Sequence, residues 1–448
     1  MPKAKLEAAE PAALQSFYAA ADPQMVGRNC RLLDYDKKPV PSFKPESDFI
    51  AYASPDSTFA VTKRLLEAAQ RSIMVNIYDF TAGYVKELLL KKMHQGVKVT
   101  LKVDLDNRSG ETELWDELIA AGVDGTPSPS CASQSGAKYF ASSHEKVIVI
   151  DDEWTLVQSG NYSDNSIPMN DKDGGDPDEF VPGNRDMGIA IKDKKIAAYF
   201  EKLFRGDIEL ERAGGAEGAE FAEGEEAAVM LERAPAAPPT KLFASKPFNP
   251  KNPVKVQAII SPDNYMSTIP DWLESADKSI YIEQQYIRGH QEAIGFLLSK
   301  IQAAMQRNPK LDVRIVLAKP FPGKRFDKEA DAIKQLKEDF GLKLGENIRI
   351  LNPRHFVHCH NKLIVVDEQA VLISSQNWSD SAVTKNREAG LLLEYPELAK
   401  YYSAIFKTDW DSALKTVSKK AAPEFLAESA ANSGVRTVEL NWGDYAEV

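Results

Sequence analysis

Two segments of the chain carry the same polar residues at the same spacing, and these residue types suit chemistry at a phosphate ester. Residues 144–164 read HEKVIVIDDEWTLVQSGNYSD and residues 360–380 read HNKLIVVDEQAVLISSQNWSD, an ungapped repeat at an offset of 216. The polar residues that the copies share include His144, Lys146, Asp151, Ser159 and Asn161, and His360, Lys362, Asp367, Ser375 and Asn377. Imidazole can attack phosphorus or donate a proton near neutral pH, while lysine, hydroxyl and amide groups bind phosphate oxygens. Two copies therefore supply one imidazole for the attacking side and one for the leaving oxygen.

Each copy predicts a β-hairpin that holds these side chains. The runs VIVI and LIVV are typical of buried strands, and each is followed by a polar turn and a second apolar run. If His144 lies opposite Asn161, then Lys146 lies opposite Ser159, and the second copy pairs in the same way. All four side chains then meet at the open end of the hairpin.

Coincidence is a poor explanation of this repeat. Two H-x-K-x4-D motifs in register, each followed by Ser-x-Asn, should arise by chance on the order of once in a thousand chains or less. The aspartate of each motif, Asp151 or Asp367, falls at the turn on the opposite parity, so we expect it to support the structure of the site. A duplicated scaffold without catalytic activity is the alternative.

The elements around the repeat predict two α/β halves. Each half has an amphipathic helix running into an apolar strand (62–80 and 267–287), followed by a further helix and a β-rich stretch. Strands that alternate with helices favour a largely parallel sheet in each half. The Ala-, Glu-, Gly- and Pro-rich segment 211–240 is interpreted as an exposed linker with a short helix around 224–233.

The length of 448 residues predicts two or three domains. The expected boundaries, in chain order, are an N-terminal extension 1–44, a first domain 45–210, an acidic linker 211–245, a second domain 246–415 and a C-terminal tail 416–448.

Composition limits the class of protein. Of the net charge of −11, residues 207–233 carry −7 (nine acidic residues against two arginines), so −4 remains for the rest of the chain and a phosphate-bearing partner is not excluded. No window approaches the roughly 18 apolar residues of a membrane span, and MPKAKLEAAEPAAL lacks the apolar core of a secretory signal. Cys30, Cys131 and Cys359 are few and far apart, so no disulfide framework is expected. A cytoplasmic location is expected, with signal-independent export as the alternative.

The duplicated H-x-K-x4-D motif resembles the phospholipase D superfamily. The element that follows it reads QSGN (158–161) and SSQN (374–377), so the leading glycine of the family pattern is missing in both copies. The resemblance covers about residues 45–210 and 250–410. It implies two similar α/β sandwich domains related by pseudo-twofold symmetry, an active site at their interface, a covalent phosphohistidine intermediate and no required metal or other cofactor.

The resemblance also assigns roles to residues. In the family a downstream acid orients each histidine, and the tripeptides Asn-Arg-Asp (184–186) and Asn-Arg-Glu (386–388) nominate Asp186 and Glu388. The histidine, lysine and aspartate of each motif form the catalytic set: His144, Lys146, Asp151, His360, Lys362 and Asp367. The hydroxyl and amide residues are assigned to phosphate binding: Ser159, Asn161, Ser375 and Asn377. By analogy with two-motif members, His144 is the nucleophile and His360 the general acid.

The motif predicts the reaction and leaves the substrate open. SIYIEQQY (279–286) resembles a segment of phospholipase D enzymes proper, which favours a phospholipid at a membrane surface and possible transfer to an alcohol. A metal-independent nuclease is the alternative, and the basic stretch 319–326 could contact either nucleic acid or lipid headgroups. Because both motifs lie in one chain, we expect a monomer.

Two clusters could suggest a metal ion, and neither is favoured. The acidic insert NDKDGGDPDEF (170–180) does not fit the twelve-residue calcium-loop spacing, so we expect a solvated loop that shapes entry to the site. His355, His358 and Cys359 could suggest zinc, but the neighbouring His360 belongs to the repeat and no second ligand cluster exists.

Overall fold

Apolar strands and amphipathic helices build two eight-stranded sheets in a computed structural model of the chain. The structure describes residues 30–105, 111–134, 136–214, 229–233, 237–320, 325–417 and 435–439.

The elements that precede residue 215 are, in chain order, β1 (Cys30–Leu32), β2 (Ser42–Phe43), β3 (Phe49–Ser54), α1 (Thr58–Ala68), β4 (Ser72–Ile77), α2 (Gly83–His94), β5 (Lys98–Val103), α3 (Glu111–Ala120), β6 (Asp124–Pro127), β7 (Gly136–Lys138), β8 (Lys146–Ile150), β9 (Trp154–Gln158), β10 (Asp186–Lys192) and α4 (Lys194–Gly214). Those that follow are β11 (Val229–Arg233), β12 (Lys246–Phe248), β13 (Lys255–Ser261), α5 (Tyr265–Glu274), β14 (Ser279–Gln284), α6 (Glu292–Arg307), β15 (Asp312–Leu317), α7 (Arg325–Phe340), β16 (Ile348–Ile350), β17 (Lys362–Val366), β18 (Ala370–Ser374), α8 (Asp380–Thr384), β19 (Glu388–Glu394), α9 (Pro396–Ser412) and β20 (Val435–Glu439).

The two sheets have equivalent strand orders. The first runs β12-β3-β10-β9-β8-β4-β5-β6 and the second runs β2-β13-β19-β18-β17-β14-β15-β16. This equivalence confirms two similar α/β domains related by pseudo-twofold symmetry. Only β4-β5-β6 and β14-β15-β16 are parallel, and the other neighbours are antiparallel, so the expectation of a largely parallel sheet is wrong. Helical crossovers make the three-stranded part parallel, whereas the repeated hairpins insert antiparallel strands beside it.

The halves exchange their outermost strands. β2 lies ahead of the first half in sequence but pairs with β13 of the second sheet, and β12 pairs with β3 of the first sheet. The apolar layer between the sheets is built from both halves, for example Phe49 and Val157 together with Val256 and Leu391. Strand pairing and core packing therefore both join the two domains.

The repeated hairpins form, with a register one residue away from the predicted one. Val147 lies opposite Val157 and Ile364 opposite Leu372, which places Lys146 in line with Gln158 rather than Ser159. The reason is the length of the turn. Ile150 pairs with Trp154, so three residues form the turn, whereas the predicted register requires a turn of two residues. A shift of one residue exchanges the faces of the second strand.

The segment assigned to the linker contains structure that the sequence reading missed. α4 extends through Gly214, and its Glu211 is buried, although the sequence predicted an exposed linker from residue 211. Asp207, in the same acidic stretch, is also buried. Val229–Arg233 is a strand paired with Val435–Glu439, where a short helix was expected. Residues 224–228 of that predicted helix lie outside the described residues.

Two of the three cysteines form a disulfide, although the sequence predicted no disulfide framework. Cys30 is bonded to Cys131, and Cys359 is a buried free thiol. The two partners are 101 residues apart, but the parallel pairing of β1 with β7 brings them together. Within the described ranges, no helix is both long enough and apolar enough to cross a bilayer.

Candidate active site

Short parallel contacts between the halves place the two histidines. The backbone N–H of His144 donates to the Arg387 carbonyl at 2.7 Å, and that of His360 donates to the Arg185 carbonyl at 3.1 Å. Each histidine therefore lies beside the start of a strand from the opposite half, β19 for His144 and β10 for His360. The next residue along each of those strands is an acid.

Each histidine is oriented by the acid of the opposite half. His144 Nδ1 lies 2.9 Å from Glu388 Oε2, and His360 Nδ1 lies 3.0 Å from Asp186 Oδ1. All four residues are buried, with at most 4% of any one exposed. The sequence identified both acids, but the partner of each histidine is the acid of the other half rather than the one downstream in its own half.

The electrostatics of Asp186 follow from this contact. Burial alone would raise the pKa of its carboxyl, but His360, Lys362 and the Ser159 hydroxyl outweigh burial and hold the pKa below its ordinary value. A carboxylate that accepts from Nδ1–H leaves Nε2 as the nitrogen that can react.

The two lysines lie beside the histidines of their own motifs. Lys146 Nζ donates to the His144 carbonyl at 2.7 Å, and Lys362 Nζ lies 2.5 Å from the His360 carbonyl and 3.2 Å from His360 Nε2. The sequence reading missed Tyr78, whose ring meets His144 edge to face at 4.6 Å and lies 5.1 Å from Lys146 Nζ. Tyr78 directly follows β4, and Gln285 directly follows the equivalent strand β14 in the second half. A polar residue at the end of each equivalent strand was the signal in the sequence.

The four residues assigned to phosphate binding differ in how their polar atoms are used. Ser159 Oγ donates to Asp186 Oδ1 at 2.8 Å, and Ser375 Oγ accepts from the Ala389 N–H at 3.0 Å. Asn161 Nδ2 donates to an oxygen of Asp79 at 3.2 Å. Neither polar atom of the fully buried Asn377 side chain has a hydrogen-bond partner among the residues that the structure describes. Asn377 is therefore the best placed of the four to donate to a phosphate oxygen.

The motif aspartates lie away from the histidines, at the turns of the two hairpins. Asp151 follows the far end of β8, about 17 Å along the strand from Lys146. Its carboxylate accepts from the backbone N–H groups of Gln70, Arg71 and Ser72 at 2.6–2.9 Å. Asp367 binds residues 277–279 in the same way, at 2.6–3.2 Å. Both residues anchor a turn.

Two buried arginines join the halves, and each directly precedes an orienting acid in the sequence. Arg387 donates to Asp207 at 2.8 Å and to Asp263 at 2.6 Å. Arg185 donates to Asp56 at 3.2 Å and, in the opposite half, to Asp409 at 3.1 Å. The sequence reading used only the acids of the two Asn-Arg-acid tripeptides, although the repeated arginine was an equally clear signal.

The clusters considered for metal ions are dispersed. His355 Nδ1 lies 2.8 Å from the Pro238 carbonyl, and His358 lies 3.2 Å from Gln285. In the insert, Asp171 pairs with Lys63 and Asp176 with Lys172. Among the described residues, no three His, Cys, Asp or Glu side chains are arranged to hold an ion.

Comparison with the solved structure of a phosphatidylserine synthase supports the fold. The chain aligns with phosphatidylserine synthase from Haemophilus influenzae Rd KW20 over 84% of its own length and 89% of that chain, with a TM-score of 0.54 and 15% identity. It also aligns with Nuc, a phospholipase D family member from Salmonella typhimurium, over 36% of its length and 98% of that chain, with a TM-score of 0.29 and 23% identity.

Comparison of sequences gives the family. The DISARM protein DrmC of Bacillus paralicheniformis is 33% identical over 119 residues, which span 25% of this chain and 46% of that protein. The family described as "Cardiolipin synthase, PLD-like domain" matches residues 62–208 and 269–410, more than half of the chain and both histidine motifs. The chain belongs to this phospholipase D-like family.

Proposed function

We propose that the protein is a phosphodiesterase of the phospholipase D type that acts on phospholipid at a membrane surface. The observation that carries this proposal is the pair of buried imidazoles from opposite halves, each bound through Nδ1 to a carboxylate. Two imidazoles that are held through Nδ1, so that Nε2 is the reacting nitrogen of each, provide a nucleophile and an acid for one phosphorus centre. Lys146, Lys362 and Asn377 would bind the non-bridging oxygens.

The reaction proceeds in two displacements. His144 Nε2 forms a bond to phosphorus while the bond to the headgroup oxygen breaks, and His360 gives that oxygen a proton. Water then attacks the phosphohistidine, His360 takes a proton from the water, and the bond to His144 breaks. An alcohol in place of water gives transfer of the phosphatidyl group, and the chemistry is otherwise the same. With both motifs in one chain, we expect the monomer to be active.

A paired assay in excess chelator tests the substrate class. Phosphatidylcholine hydrolysis and single-stranded DNA cleavage are measured side by side. We expect the lipid to be hydrolysed and the DNA to be cleaved little. Turnover of DNA alone would make the protein a nuclease, and turnover that needs added calcium or zinc would contradict the metal-independent mechanism.

Substitution of each histidine tests the shared site. His144→Asn and His360→Asn should each lower kcat by on the order of 10³-fold or more, because each imidazole performs a separate step. Mixing the two inactive proteins should not restore turnover, since both residues belong to one site in one chain. Near wild-type activity in either variant would refute the shared site.

A further inference from the structure

A cavity in the second half opens beside His360. It has a volume of at most about 390 Å³ with its mouth included, and it lies between the ends of β14 and β15 and α7. Its polar lining is Gln285, Tyr286, Arg288, Lys319, Glu329 and His358. The His358 carbonyl accepts a hydrogen bond from the Arg185 N–H, and the His360 N–H donates one to the Arg185 carbonyl. This segment therefore runs like a strand beside Arg185, and the side chains of His358 and His360 lie on the same face, about 7 Å apart.

Arg288 is the notable residue of this cavity. It is 7% exposed, and its guanidinium lies 4.3 Å from the centre of the Tyr286 ring. An oxygen of Glu329 forms an ion pair with Nη2 at 4.0 Å, which is too long for a hydrogen bond. Within the described part of the chain, the buried Nη2 has no hydrogen-bond acceptor. A buried cationic donor without an acceptor is unfavourable, so the site favours a ligand that supplies an oxyanion.

The described part of the first half has an acidic residue at the position that corresponds to this cavity. Ile77 and Gln284 occupy equivalent positions, because each lies opposite the lysine of its motif. Their neighbours on the next strand are Val103 and Leu317, so the residue that follows, Asp104, is equivalent to Ala318. Asp104 is fully buried and accepts hydrogen bonds from Ser142 and Ser130. A buried carboxylate at this position disfavours an anion, so the described residues favour the side of His360 for an anion. Glu329 also lines that side, but Arg288 and Lys319 in the same lining offset its charge.

We propose that the cavity is a subsite for a second oxyanion, a carboxylate or a phosphate, carried by the headgroup of the substrate and bound by Arg288. This inference rests on the proposed function, in which His360 protonates the headgroup oxygen and the headgroup lies on the His360 side. Arginine presents a planar fork that matches carboxylate and phosphate oxygens. The small volume of the cavity and the buried Asp104 of the first half favour a small headgroup over a continuous nucleic-acid backbone.

Calorimetric binding of matched compounds tests the subsite. O-phosphoserine differs from O-phosphoethanolamine only by a carboxylate, and propane-1,3-diol bisphosphate differs from the monophosphate by one phosphate. We expect about tenfold tighter binding of the more anionic compound in at least one pair, and a preference under twofold in Arg288→Gln. Arg288→Lys, which keeps the charge but loses the fork, should give an intermediate preference and guards against loss of the fold.

Arg205→Gln is the matched control, because Arg205 is exposed on α4 and pairs only with Glu201 in the contacts that the structure describes. It should keep the wild-type preference. A preference that persists in Arg288→Gln, no preference in either pair, no binding of any compound, or tighter binding of a thymidine dinucleotide than of the bisphosphate would each overturn the inference. Absence of lipid turnover together with an Arg288-dependent preference would refute the proposed function alone.

Discussion

At the scale of single residues, the acid of the opposite half fixes the orientation of each histidine for its part in the proposed reaction. Glu388 fixes the Nδ1 proton of His144, and Asp186 does the same for His360. An acid in one half therefore acts on the chemistry of the motif in the other half. If His144 is the nucleophile, Glu388 governs attack and Asp186 governs proton donation.

Substitution of the acids should separate the two steps. Glu388→Gln should slow formation of the phosphohistidine by on the order of 10²–10⁴-fold for every leaving group, because His144 loses the carboxylate that orients it. Asp186→Asn should slow release of an alkoxide to a similar extent, but should change release of nitrophenolate little, since that group needs no acid. Acid quenching with labelled substrate and peptide mapping measures both rates.

The control for these variants is Glu394→Gln, at the exposed end of the same strand as Glu388, which should leave both rates unchanged. We expect the label on the peptide that contains His144. Label on the His360 peptide would reverse the roles, and no covalent species at all would refute the two-step mechanism.

At the scale of elements, the motif aspartates stabilise the hairpin turns that carry the histidine strands. Asp151 has a φ of 54° and binds three backbone N–H groups, which joins the β8–β9 turn to the start of β4. Burial raises the pKa of its carboxyl, but the N–H groups of Ser72, Gln70 and Arg71 outweigh burial and lower the pKa below its ordinary value. The contribution of Asp151 to stability is therefore present above about pH 4 and lost as pH falls through the lowered pKa.

Asp151→Asn tests this structural role, because asparagine tolerates a positive φ but carries no charge. We expect a loss of about 1 kcal/mol in the free energy of unfolding at pH 7, a smaller difference from wild type near pH 3, and a kcat within about twofold of wild type. Urea unfolding at the two pH values measures the first two. A fall in kcat of about 100-fold in the folded variant would return Asp151 to the catalytic set.

At the scale of the whole molecule, the halves hold each other independently of the linker. β2 and β12 are exchanged between the sheets, and Arg185 and Arg387 each bind an acid from both halves. Each histidine also depends on the opposite half for its orienting acid. Neither half is expected to provide a working site alone.

Cleavage of the linker should therefore leave the molecule assembled. With a protease site inserted between residues 215 and 228, the cut protein should elute as one species in gel filtration and keep most of its activity. An Arg387→Met variant carrying the same site serves as a comparison, and should separate at lower urea concentration because Asp207 and Asp263 lose the cation that joins them. Separation of the fragments without denaturant would contradict the interlocked arrangement.

The disulfide gives a prediction for the whole chain. Protein purified without reductant and then denatured should show one reactive thiol, that of Cys359, and three after reduction. Cys359→Ala should show none before reduction. Three thiols in the unreduced wild type would show that Cys30 and Cys131 are unpaired.

The sequence by itself determined the two α/β halves, the paired motifs, both orienting acids and the family resemblance. These features are local, since period-two alternation identifies a strand and the repeat identifies its equivalent. The hairpin register was beyond the sequence, because the turns after Ile150 and Val366 could hold two residues or three, and a one-residue difference exchanges the faces of a strand.

Only the tertiary structure decided which groups meet across the chain. The His144–Glu388 contact, the Cys30–Cys131 bond and the exchange of β2 with β12 join positions from 101 to more than 200 residues apart. Local propensity has no information about such separations. The pairing depends on how two sheets pack around one buried layer, and that packing places each histidine beside the acid of the other half.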